Sequence, residues 1–131
     1  MFVTKIRPRV SETDGVGHIN NTFVPVWFEA GREEIFRILT PDLSFKNWHL
    51  AVVNMNVDFT NQIHFGTEVE VRTWVHRFGN KSFMLYEEMF QGEILCAKGT
   101  VTYVYMDYQA QKSAAIPEPI RNELQKHLKE T

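Results

Sequence analysis

The 131-residue sequence has a single cysteine, Cys96, so no disulfide can close within the chain, and a reducing compartment is the expected setting. Cys96 sits in the apolar run Ile94-Leu95-Cys96-Ala97 and reads as a core residue, not a nucleophile. No apolar run approaches the roughly 20 residues that a membrane-spanning helix needs. Lys5, Arg7 and Arg9 interrupt the first ten residues, so no signal peptide is expected there. Neither charge dominates: 14 Lys and Arg stand against 16 Asp and Glu, so no strongly basic face for nucleic acid is expected. Internal repeats, low-complexity tracts and linkers are lacking too. The expectation is one soluble, cytoplasmic domain spanning residues 1–131.

Apolar and aromatic residues are plentiful, at 44% and 13%, which suits a packed core. Phe2 to Val10 reads as a short strand whose end Pro8 demotes to an edge. Ser11 to Asn21 (SETDGVGHINN) is a loop by composition. A helix is expected from Thr22 to Leu39, with Asn20 or Asn21 as its cap and Pro25 near its first turn. Its first half, Phe23 to Phe28, is apolar on nearly all sides, so it should be buried, and its second half should emerge toward solvent. On this helix Glu29 and Arg32 are spaced to pair with each other.

From His49 the period becomes two, with Val53, Met55, Val57 and Phe59 expected on the covered face of a half-buried strand. Val69 to Val75, Ser82 to Phe90 and Ile94 to about Met106 continue as strands joined by short connections, implying antiparallel hairpins. Pro117 and Pro119 open a C-terminal helix with a stripe of Ile120, Leu124 and Leu128. A helix so apolar needs cover, and a curved antiparallel sheet around it is the simplest α+β solution. Its open edges make a homodimer the minimum assembly, with a tetramer left open.

Chemistry concentrates in the loop ahead of the buried helix, where Glu12, Asp14, His18, Asn20 and Asn21 stand. Unpaired amides at a helix start favour negative charge and would polarise a carbonyl oxygen. A carboxylate held beside them can attack the carbonyl carbon or activate a water. Thioester hydrolysis needs these two elements and no metal. Glu12, Asp14 and His18 have no metal-ligand spacing, so no metal is expected. The structural alternatives are that Asp14 forms only an Asx-turn, that His18 is a hydrogen-bonded structural histidine, and that the two asparagines are only caps.

The stretch Thr13-Asp14-Gly15-Val16-Gly17-His18-Ile19-Asn20-Asn21, with Phe23 and Trp27 to Arg32, resembles the signature of 4-hydroxybenzoyl-CoA thioesterase-like proteins. Its His-Ile-Asn-Asn portion also resembles plant acyl-ACP thioesterases. The resemblance implies the hotdog fold: a curved five-stranded antiparallel sheet around a long buried central helix, with a C-terminal surface helix. It implies hydrolysis of an acyl-CoA, or alternatively of an acyl group on a carrier protein. Less expected on the same fold are hydration or dehydration of an acyl thioester, or acyl binding without catalysis. Asp14 falls on the family's catalytic carboxylate, Asn21 on its carbonyl-binding amide and His18 on an assisting histidine. Gly17, Asn20 and Trp27 are the adjoining candidates for substrate binding. The stretch His76 to Phe83 resembles the hairpin that contacts coenzyme A phosphates, which makes Arg77, Lys81 and Ser82 further binding candidates. Coenzyme A would arrive as part of the substrate, and no separate cofactor is expected.

Overall fold

Alternating β-branched and aromatic residues build the sheet. A computed structural model describes residues 1–130. Its strands are β1 (Phe2–Ile6), β2 (Leu50–Phe59), β3 (Val69–Phe78), β4 (Ser82–Gln91), β5 (Ile94–Asp107) and the two-residue β6 (Lys112–Ser113). The helices are α1 (Phe23–Ala30), α2 (Glu33–Leu39) and α3 (Glu118–Gln125). Five antiparallel strands run in the order β1-β3-β4-β5-β2, and β6 adds a short ladder to the end of β5. The sheet curls around α1 and α2, giving the α+β hotdog arrangement. No helix among the described residues is long and apolar enough to cross a membrane.

Strict alternation positions the core. On β3, Val69, Val71, Thr73 and Val75 face inward while the residues between them face out. Val71, Met89 and Ala97 meet Val24, Trp27 and Phe28 of α1 in one apolar cluster. Val75, Leu85 and Val101 meet Ile35 and Leu39 of α2 and Leu124 of α3 in a second. Cys96 is buried in the first cluster, and burial pushes its thiol pKa upward.

The expected continuous helix from Thr22 to Leu39 is broken at Gly31 and Arg32. A Cβ on Gly31 would lie 2.6 Å from Val71 Cγ1, so only glycine lets the helix approach β3 this closely. The Thr73 hydroxyl donates to the Gly31 carbonyl at 3.0 Å and gives that oxygen a partner outside the helix. Arg32 then turns inward. Its guanidinium makes a two-pronged pair with Glu87 and donates to the Tyr103 hydroxyl at 3.0 Å. Glu29, expected to hold Arg32, is exposed and makes no ion pair with it. A fully buried guanidinium needs a partner that is itself dry, and Glu87 on β4 supplies it.

Alternation on β2 is broken by a bulge between Val52 and Asn54 that takes Val53 out of the expected row, and the remaining row lacks full cover within one chain. Leu50 is buried, whereas Val53 (59% exposed), Met55 (40%) and Phe59 (54%) are open to solvent. β2 is the sheet edge, and α1 reaches only part of its inner face. At the other edge β1 ends at Ile6, earlier than expected, because Val10–Glu12 winds into a 3-10 turn.

Candidate active site

The loop between β1 and α1 is held by its own side chains. Gly15 and Gly17 have φ of +92° and +91°, which lets the chain double back without a Cβ penalty. The doubled strands join through a Thr13–Ile19 bridge and an Asp14 N–H bond to the His18 carbonyl at 2.7 Å. Asp14 Oδ1 accepts from the Val16 amide at 2.9 Å and the His18 amide at 3.3 Å. This is the Asx-turn that composition allowed. It also fixes the carboxylate: Oδ1 is occupied and Oδ2 remains, 3.7 Å from His18 Nδ1. The side chains of Asp14 and His18 are each about a third exposed.

The helix start divides the two asparagines. Thr22, not either asparagine, is the N-cap of α1; the Asn20 side chain closes an Asx-turn just ahead of it, accepting from the Thr22 amide at 3.0 Å and hydroxyl at 2.9 Å. The Asn21 side chain makes no capping bond, and among the described residues its backbone N–H finds no acceptor. Asn21 opens into a cleft of about 580 Å³ lined also by Ile19, Val24, Phe59, Asn61 and Ile63. Asp14 and His18 stand just outside this lining. Thr13, immediately before Asp14, is bridged to Ile19, a lining residue. Carboxylate, free amide and cleft therefore occupy one end of the sheet. Among the described residues no three His, Cys, Asp or Glu side chains converge as a metal site.

Two of the other candidates also lie here. The Gly17 carbonyl accepts from the Phe65 amide at 2.9 Å, tying the loop to the β2–β3 connection. Trp27 lies inside the core rather than in the cleft wall, and its indole N–H donates to Glu12 at 3.0 Å. Arg77, Lys81 and Ser82 stand elsewhere. β1 pairs Ile6 with Val69 at the Asp14 end of β3, and Arg77 lies eight residues further along. At about 3.3 Å per residue that is roughly 26 Å, so they mark the opposite end of the sheet. Arg77 and Ser82 share a hollow of about 320 Å³ there, and Lys81 is exposed beside it.

Two neighbours were not singled out from the sequence. The His64 ring packs edge-on against His18 with centroids 5.0 Å apart. The buried Gln91 side chain anchors that segment, accepting from the His64 amide and donating to the His64 and Thr67 carbonyls. His64 sits in the β2–β3 connection and Gln91 at the last position of β4, where periodicity carries no information about partners.

Comparison with known proteins bears on the fold and the family. Residues 8–124 match the family model described as the Thioesterase-like superfamily. A solved structure from Bacillus stearothermophilus, described as a predicted thioesterase, is 52% identical with a TM-score of 0.96, covering 99% of this chain and 98% of that one. A Thermus thermophilus thioesterase solved with coenzyme A and zinc is 26% identical with a TM-score of 0.86, covering 95% and 92%. YneP of Bacillus subtilis, provisionally named an acyl-CoA thioesterase, is 28% identical over 118 residues, 86% of each chain.

Proposed function

Because this chain belongs to the thioesterase-like superfamily and is a thioester hydrolase, we propose that it cleaves acyl-CoA thioesters with Asp14 as the reacting carboxylate. The observation that carries the mechanism is the pairing of a loop-fixed carboxylate with an unpaired amide at the start of α1, beside one cleft. The thioester oxygen accepts from the Asn21 N–H, where the helix dipole adds to the polarisation. Asp14 Oδ2 then either attacks the carbonyl carbon or takes a proton from the water that does. The C–S bond breaks and the sulfur leaves as a thiol; on the direct route this leaves an acyl–Asp14 anhydride that water opens, freeing acid and carboxylate, and on the base route the water oxygen goes straight into the acid. His18 stands on the same oxygen and steadies its orientation. Single-turnover hydrolysis in ¹⁸O-water separates the routes: label enters the Asp14 carboxyl only if it attacks directly.

A second copy completes the site. The uncovered inner face of β2 is a long apolar edge, the kind of surface that a twofold pairing buries. Antiparallel pairing of two β2 strands sets Leu50 of one copy near Phe59 of the other. The hairpin end of the second copy then lies beside this cleft, since Ser82 pairs with Val104, which also pairs with Ala51. That arrangement brings Arg77, Lys81 and Ser82 toward the phosphates of a coenzyme A whose thioester rests at Asn21.

The test is thiol release over a panel of acyl-CoAs, short to long and aromatic, run beside the same acyl groups on acyl carrier protein. Turnover of the CoA series supports the proposal. Turnover confined to the carrier series refutes the CoA assignment, and no thiol from either refutes the hydrolase chemistry proposed for this site.

A further inference from the structure

Glu12 is a buried carboxylate with no place in the chemistry above. It is 3% exposed, two residues before Asp14, and both of its carboxylate oxygens are bonded. Oε1 accepts from the Arg9 amide at 2.7 Å; Oε2 accepts from the Trp27 indole N–H at 3.0 Å and from Arg9 Nη2 at 3.3 Å. Its backbone carbonyl accepts from the Asn20 amide at 2.8 Å. One residue therefore joins the strand exit at Arg9, the returning arm of the loop at Asn20 and the core face of α1 at Trp27. Burying a carboxylate is costly, and an apolar side chain would fill the same space without that cost. What an apolar residue cannot do is hold the loop at a set distance from the helix.

We infer that Glu12 is a positioning residue: through Trp27 it ties the Asp14 loop to α1, so that the carboxylate and the Asn21 amide keep one separation. The inference rests on the reading of Asp14 and Asn21 as the reacting pair. The separation matters because the two groups belong to different elements and act on adjacent atoms of one carbonyl. A displacement of about 1 Å in such an arrangement costs up to roughly 100-fold in rate. The Asx-turn fixes Asp14 within its loop, and among the described residues the Glu12–Trp27 bond is the one side-chain hydrogen bond that ties this loop to α1.

The experiment compares Trp27→Phe, which deletes the N–H and keeps an aromatic ring, with Glu12→Met, which fills the space without an acceptor oxygen, their double variant and Asp14→Asn. Steady-state thiol release is read well below each variant's melting transition. Expected are losses in kcat of roughly tenfold for each single variant, with KM within about twofold, because the substrate still binds but meets a misplaced carboxylate. The double variant should lose no more than the worse single one, since both cut the same strut. Singles that melt earlier yet keep wild-type kcat would make the bond merely structural and overturn the inference, as would losses that multiply in the double variant. If Glu12→Met does not fold, Trp27→Phe decides alone. Asp14→Asn separates the two levels: its full activity would overturn the Asp14 reading and this inference with it. Its inactivity beside a fully active Trp27→Phe would overturn this inference alone.

Discussion

Replacing Glu87 with Gln leaves the Arg32 guanidinium at 0% exposure with no anion beside it. Breaking one side of a buried pair costs about 3–5 kcal/mol, because the surviving charge stays desolvated. The unfolding entropy of a 131-residue chain at about 2.1 cal/mol/K per residue is about 0.28 kcal/mol/K. A loss of about 4 kcal/mol therefore lowers the melting temperature by roughly 15 °C. Differential scanning calorimetry at one fixed protein concentration measures this, the concentration being held because association also shifts melting. The paired replacement Arg32→Met with Glu87→Leu removes both charges and should recover most of the loss. A drop under about 3 °C for Glu87→Gln, or a double variant as unstable as the single, would refute the reasoning.

Gly31→Ala should destabilise the fold and loosen the α1–β3 contact, seen as an earlier urea midpoint, because its Cβ would meet Val71 at 2.6 Å. Met55→Lys on the open β2 face should shift the protein toward monomer in light scattering without reducing helix content by circular dichroism; an unchanged mass would exclude β2 as the interface. Burial opposes ionisation of Glu12, but the bonds from Arg9 and Trp27 outweigh it and hold its pKa below the ordinary value of 4.5. Its charge thus stabilises the fold above that value, and the contribution disappears as pH falls through the lowered folded-state pKa; urea titrations of wild type and Glu12→Gln should converge toward acid. Cys96 should react with a thiol reagent only on unfolding, giving no background in thiol-release assays; fast labelling of the native protein would contradict its burial.

Periodicity made most of the architecture legible. Alternation on β3 and the apolar run Phe23 to Phe28 together required a sheet wrapped around a helix, and the structure has one. The helix break was hidden because it arises from Thr73 and Val71, residues 40 or more positions away that meet Gly31 only in the folded chain. The partner of Arg32 was misread for the same reason: a neighbour at helical spacing was visible in the sequence, and a partner across the core was not. On β2 the pattern missed the bulge between Val52 and Asn54 that takes Val53 out of the row, and it did not show that the row lacks cover in one chain. At the site, the loop composition marked Glu12, Asp14, His18, Asn20 and Asn21 and the family resemblance singled out Asp14, His18 and Asn21, while the bond between Glu12 and Trp27 spans 15 positions and two elements, beyond any local signal.

The central claim is that one carboxylate in a glycine-bent loop does the chemistry. Its most direct measurement is single-turnover thiol release by Asp14→Asn on the best acyl-CoA of the panel, with the melting temperature recorded alongside. The Asn side chain can keep the turn through its carbonyl oxygen but cannot attack or take a proton, so the rate should fall at least about 100-fold with melting unchanged. A rate within about twofold of wild type would contradict the account.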